Sequence, residues 1–231
     1  MASAATTRRA ALHGRRDGQG RCLWARPRAG RALALARAGC RWFFVATLDE
    51  AAVLDGILRP AHPGCRIALL AGPIPGTAAD IAGLESVLPV LNDLQQLAAW
   101  RQAAPGRPAL LHIETGMARL GMEAAEARRL AEQPALLAGV PLAGVISHLS
   151  CADTPAHPMN AAQRGAFDDL AHRLPPAPRS LAASCGIFLG TDYHYDMVRP
   201  GAALYGLNPL PGTPQSDGTN HCIESKNSAD P

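Results

Sequence analysis

From about Ala32 onward the chain alternates short apolar runs with helix-like segments, and that alternation restricts it to an α/β fold. "RWFFVATLDEAAVL" reads as a buried strand, Trp42 to Ala46, entering a helix. The first turn of that helix carries Asp49 and Glu50, where the helix dipole favours acids. "RIALLAG" is a second strand closed by Gly72 and Pro73, and "VLPVLNDLQQLAAW" gives a short strand, Asn92 or Asp93 as cap, and a helix. "PALLHIETGMARLGM" supplies a strand ending near Glu114, followed by a turn containing glycine. "LAGVISHLSCAD", "RSLAASCGIFLG" and "MVRPGAALYG" each begin apolar and end in small or polar residues. Helical spacers separate most of these runs, notably Glu123 to Glu132 and Asn160 to Arg173.

Strands that alternate with helices pair in parallel, so seven strands of this kind predict either a (β/α)8 barrel short of one strand or a doubly wound sheet. Periodicity does not separate the two. In a barrel, functional residues sit at the C-terminal strand ends. Arg119, His148, Ser184 and Arg199 all fall just after such ends.

Composition narrows the class. Of 231 residues, 48% are hydrophobic and 18% charged, and no apolar run approaches the roughly 20 residues of a membrane span. The expectation is a soluble, cytoplasmic protein without a membrane partner. The six cysteines form no CxxC pair, so neither a metal site nor a disulfide framework is predicted. Residues 1–31 are arginine-rich with Asp17 as the only acid, and residues 213–231 are polar; both read as irregular or disordered. An arginine-rich arm suits a nucleic acid or a targeting receptor, but Trp24 is its only aromatic residue, which is sparse for base stacking. No nucleic-acid partner is expected.

Each candidate also has an ordinary reading. Arg199 in "RPG" could end a strand and reach out to water, His148 could be a core histidine bonded to backbone, and Ser184 before Gly186 could cap a helix. A hydroxyl and a glycine at a helix start also suit a phosphate, because free backbone donors converge there. The order and spacing of the motifs carry more than any one of them. Together "FFVATLDEA", "HIETGMARLGM", "GVISHLSCADTPAHPMNAAQ", "RSLAASCGIFLG" and "YDMVRPGAALYGLNP" resemble the pyridoxal-phosphate-dependent alanine racemases over residues 32–212. The resemblance implies an N-terminal (β/α)8 barrel holding pyridoxal 5'-phosphate, a C-terminal β domain and a homodimer. It also implies interconversion of L- and D-alanine for peptidoglycan precursors. By position it places Arg199 against the pyridine nitrogen, Ser184 with the backbone of Gly201 and Ala202 around the phosphate, Arg119 on the phenolic oxygen, and His148 in support of Arg199.

The chain departs from that pattern at both catalytic bases. The family attaches its cofactor to a lysine on the first barrel strand, in a context like "VVKADAYGLG"; here Lys226 is the only lysine and lies in the polar tail. The second base, a tyrosine of the C-terminal domain, has no counterpart after about Pro214, and Ala183 stands where many members carry asparagine. The codons of "RRDGQGRCLWAR", read one nucleotide forward, admit "KADAYGLG". Gln19 and Gly20 can yield lysine, and Trp24 followed by Ala25 must yield glycine. A frameshift restored by about Ala32 is therefore inferred. The expectation is a barrel whose first strand is lost and whose C-terminal domain is absent, with no catalytic residue and doubtful cofactor binding and dimerisation. The alternative is a non-catalytic pyridoxal-phosphate-binding barrel protein, which also keeps the missing lysine.

Overall fold

A computed structural model describes residues 25–205 and 208–210. Six strands form one parallel sheet in the order β1 (Trp42–Val45), β2 (Arg66–Leu69), β3 (Val87–Leu91), β4 (Ala109–His112), β5 (Leu142–Ile146) and β6 (Arg179–Ser180). Helices α1 (Ala25–Arg37), α2 (Leu48–Ala61), α3 (Ala78–Ala82), α4 (Leu94–Ala103), α5 (Ala124–Glu132) and α6 (Pro158–Ala171) fill the spaces before and between them. Neighbours in sequence are neighbours in the sheet, which is the order of a (β/α) barrel; a doubly wound sheet would reverse direction.

The strands read as continuous apolar runs because both sheet faces are covered. Phe43 and Val45 of β1, Ile67 and Leu69 of β2, and Leu111 of β4 face the helices in the larger core. Phe44, Ala68, Leu88, Val90, Leu110 and Ile146 form a second cluster on the opposite, inner face, with Met197 packed against it. The sheet curls enough to bring its ends toward each other: the Arg199 guanidinium, beyond β6, stacks 5.7 Å from the centre of the Phe44 ring in β1. Arg31 of α1 stacks 5.2 Å from the centre of the Tyr205 ring.

Local chemistry starts the helices where the sequence indicates. Thr47 and Glu50 form a capping box on α2, each side chain accepting the other's backbone N–H. Asp93 caps α4, accepting from Gln96 N at 2.7 Å. Asn92, the other candidate cap, turns inward instead, because its amide is held by the carbonyls of Leu70 and Val90.

Two expectations are corrected. The seventh strand, begun at Met197, reduces to a single parallel bridge between Ala183 and Arg199. Pro200 has no N–H to continue the ladder, and a 3-10 turn takes over at Ala202–Tyr205. The arm read as irregular through residue 31 is helical from Ala25, where α1 begins. Residues 1–24, with Gln19, Gly20 and Trp24 of the shifted frame, and 211–231, with Lys226, lie outside the described residues.

Candidate functional site

Five chain segments meet at the C-terminal end of the sheet, and Arg199 is their centre. Its backbone N–H donates to Ala182 O, which seats it beyond β6. Its Nη1 donates to Ser180 O at 2.8 Å and Ser180 Oγ at 2.5 Å; its Nη2 donates to Ser147 O and, at 3.4 Å, to Leu181 O. The side chain turns into the sheet end and is not a solvent-seeking strand terminus. Nε carries no hydrogen bond among the described residues. Burial lowers the guanidinium pKa to about 10, so it stays cationic at neutral pH.

Two histidines lie near that charge, one of them not singled out by sequence. His112 ends β4 and shares the inner face with Leu110 by strand alternation. Its Nδ1 is 3.1 Å from Asn92 Oδ1. The Asn92 amide nitrogen is committed to carbonyl acceptors, so Oδ1 must accept, Nδ1 carries the proton, and Nε2 presents a lone pair. Burial first, then the charges of Arg199 and Arg119, push His112 down to about 4, with Glu114 opposing. Burial, Arg199, Arg119 and His112 push His148 down to about 3. Both rings are neutral at pH 7. Among the described residues, the hydrogen bonds of the Arg199 side chain run to the carbonyls of Ser147, Ser180 and Leu181 and to the Ser180 hydroxyl, and none to the His148 ring.

Arg119 is exposed on the loop after β4. Glu114 holds that loop: its carboxylate accepts from the N–H groups of Gly116, Met117 (2.6 Å) and Ala118 (2.7 Å). The loop returns to its strand through Met122 N donating to His112 O at 2.7 Å. Gly121, at φ +117°, permits the return, since a Cβ there would lie 2.9 Å from Glu114 N.

Ser184 is buried, and its Oγ accepts from Gly201 N at 2.8 Å and Ala203 N at 3.2 Å. Ser184 and Gly201 thus meet at the start of the 3-10 turn that contains Ala202; the second donor is Ala203. Sequence reasoning passed over His112, Ser147, Thr115 and Gln163, and took Asn92 only as a candidate helix cap. His112 stood at the front of a quoted motif, and its position at a strand end was the available signal. Among the described residues, no group of three or more His, Cys, Asp or Glu could hold a metal ion, and no helix is long and apolar enough to cross a membrane.

Comparison with known proteins agrees with this fold. The family model described as "Alanine racemase, N-terminal domain" matches residues 27–209. A catabolic alanine racemase of Mesorhizobium japonicum is 47% identical over 187 residues, 79% of this chain and 48% of the relative. An alanine racemase of Acidiphilium cryptum is 47% identical over 181 residues, 77% of this chain and 49% of the relative. The crystal structure of alanine racemase from Bartonella henselae with covalently bound pyridoxal phosphate superposes with a TM-score of 0.74 at 34% identity, covering 80% of this chain and 54% of that one. The biosynthetic enzyme of Pseudomonas aeruginosa gives 0.70 at 32% identity, covering 80% and 51%. The chain spans about half the length of these relatives.

Proposed function

Since the chain belongs to the alanine racemase family through its N-terminal barrel domain, we propose that the site around Arg199 is a pyridoxal-phosphate pocket and that this chain, by itself, does not racemise alanine. One observation carries the first half. Four acceptors hold both Nη groups of Arg199 in the sheet end and leave Nε, the remaining donor, for a ligand.

The residues fit the cofactor. Nε would donate to the pyridine nitrogen, and a cation that keeps its own proton at neutral pH leaves that nitrogen unprotonated. A phosphate would take over the Gly201 and Ala203 N–H groups that Ser184 Oγ accepts from here, with the Ser184 hydroxyl and the Ala202 N–H as further donors at the start of the turn. Arg119 would face the phenolic oxygen, as the family resemblance implies. His148 and His112, both neutral, would line the ring side without adding charge. Pyridoxal phosphate, when bound, supplies an electron sink that makes the Cα proton of an amino acid removable. The arginine limits the strength of that sink, which suits proton exchange better than transamination.

Racemisation needs a proton carrier on each face of Cα. Lys226, the only lysine, lies in the tail outside the described residues. The three tyrosines have other partners. The Tyr195 hydroxyl donates to Asp168, and burial together with that carboxylate raises its pKa. Arg164 stacks on Tyr193 and Arg31 on Tyr205. The expected result for the purified chain is no alanine racemisation above a heat-killed control, with weak pyridoxal phosphate binding and no borohydride-reducible lysine adduct. Turnover, or a pyridoxyl group on Lys226 by mass spectrometry, would overturn it. The homodimer and the D-alanine of cell-wall precursors belong to this reading as properties of the whole enzyme.

A further expectation concerns the sheet edges. Among the described residues, β1 pairs only with β2, so its outer edge has no strand partner, whereas the outer edge of β6 is met by Asp196, Met197 and Arg199. Recoding the segment before Ala32 in the shifted frame, so that a lysine-bearing strand precedes α1, should raise both solubility and thermal midpoint. Equal values for the two proteins would count against the frameshift.

A further inference from the structure

Gln163 of α6 is completely buried, and each end of its amide is used twice. Nε2 donates to His148 O at 3.0 Å and to Thr115 Oγ1 at 3.3 Å. Oε1 accepts from Ser150 N at 2.8 Å and Ser150 Oγ at 3.0 Å. Thr115 belongs to the loop after β4, and His148 and Ser150 to the loop after β5, so one side chain ties two loops to a helix. The tie continues to the centre of the site. Thr115 Oγ1 lies 2.7 Å from Ser147 Oγ, and Ser147 O accepts from Arg199 Nη2. The β4 loop also lies directly on Gln163: a Cβ on Gly116, at φ +129°, would be 3.5 Å from Gln163 Cγ.

We propose that Gln163 is a positioning residue that sets the Arg119 loop and the His148 backbone against Arg199. An amide is the side chain this place requires, because it must give two hydrogen bonds and take two from one fully buried point. A residue that only filled the helix–sheet core would be apolar, and a residue that only capped a turn would address one loop. Ser184 and Gly201, by contrast, have no bond to Gln163 and hold each other through Ser184 Oγ. The ring side and the phosphate side of the pocket therefore depend on different anchors. The ligand consequence rests on the pyridoxal-phosphate reading; the coupling between the loops does not.

The test uses the full chain as Gln163→Met, similar in length without polar ends, and as Gln163→Glu, which keeps the acceptor and loses both donors at neutral pH. Amide hydrogen exchange in Gln163→Met should quicken about ten-fold or more over residues 114–121 and 147–151 and stay within about two-fold over 180–184 and 199–205. Gln163→Glu should quicken 114–121 while Ser150 N–H stays protected. In ligand titrations, Gln163→Met should weaken pyridoxal 5'-phosphate by about ten-fold and inorganic phosphate by less than about two-fold, a loss of about 1.4 kcal/mol confined to the ring side. Unchanged exchange in the two loops, or a uniform rise over all four segments, overturns the proposal. A wild-type chain that binds neither probe overturns the pocket reading, and the exchange pattern then decides the role of Gln163 on its own.

Discussion

Replacing Arg199 with methionine should lower the unfolding free energy by about 1 to 3 kcal/mol, the cost of leaving buried acceptors without their donor, and should abolish saturable pyridoxal phosphate binding. The cost arises from what is left behind. The carbonyls of Ser147 and Leu181 and the Ser180 hydroxyl lose a donor where the sheet end closes, while Ser180 O keeps the Ser147 N–H. The backbone has little to compensate with, since the β5–β6 ladder registers only Val145 with Arg179 and Ile146 with Ser180. Against a typical total of about 5 to 15 kcal/mol this is a large fraction. Lysine at 199 should lie between the two, keeping a charge but losing the planar fork that serves several acceptors at once. Urea unfolding with the same midpoint for Arg199→Met and the parent would mean that the guanidinium is not holding the strand ends together.

Acid should destabilise the protein well above the range in which carboxylates titrate. His112 and His148 take up a proton at about 4 and about 3 in the folded chain, whereas an unfolded histidine does so near 6.5. Between those values the unfolded chain binds more protons, so the stability contributed by the neutral rings is complete above about pH 6.5. It is then lost as pH falls, at about 1.4 kcal/mol per pH unit for each ring. From pH 7 to pH 5 the two together should remove roughly 4 kcal/mol. Burial sets most of this response; the charges of Arg199 and Arg119 add to it at both rings, and Glu114 opposes it at His112. Equilibrium unfolding at pH 7, 6 and 5 should show the slope, and a His112→Asn, His148→Asn double variant should flatten it. A double variant with the parent's pH dependence would remove the histidines as its cause.

Sequence reading found the sheet because strands covered on both faces leave an unbroken apolar signature, as in Trp42–Val45 and Val87–Leu91. It found Arg199 because a cation beside Pro200 and Gly201 interrupts such a signature. It overextended the last strand because Val198 and Leu204 satisfy an apolar pattern, while the absent N–H of Pro200 stops the ladder. Gln163 escaped notice for a different reason. A glutamine on an amphipathic helix normally faces water, and nothing local distinguishes one whose four partners come from two distant loops. His112 escaped because its tautomer is fixed by Asn92, twenty positions away and one strand over, and its neutrality by burial and the charge of Arg199. Local pattern shows elements and their ends, whereas networks closed through the third dimension leave little trace in any one window of sequence.

The strict 1-2-3-4-5-6 order has a consequence for how the protein is made. Every strand pairs with one that left the ribosome just before it, so loop closure at each step spans a single strand–helix unit and costs little entropy. The sheet can grow in the direction of synthesis, with each new edge serving as template for the strand that follows. The stacking of Arg199 on Phe44 joins the first described strand to the far side, and it cannot form until nearly all of the described chain has emerged. Nascent chains arrested before Met197 should therefore hold an ordered but uncurled sheet, with its inner apolar face accessible to chaperones.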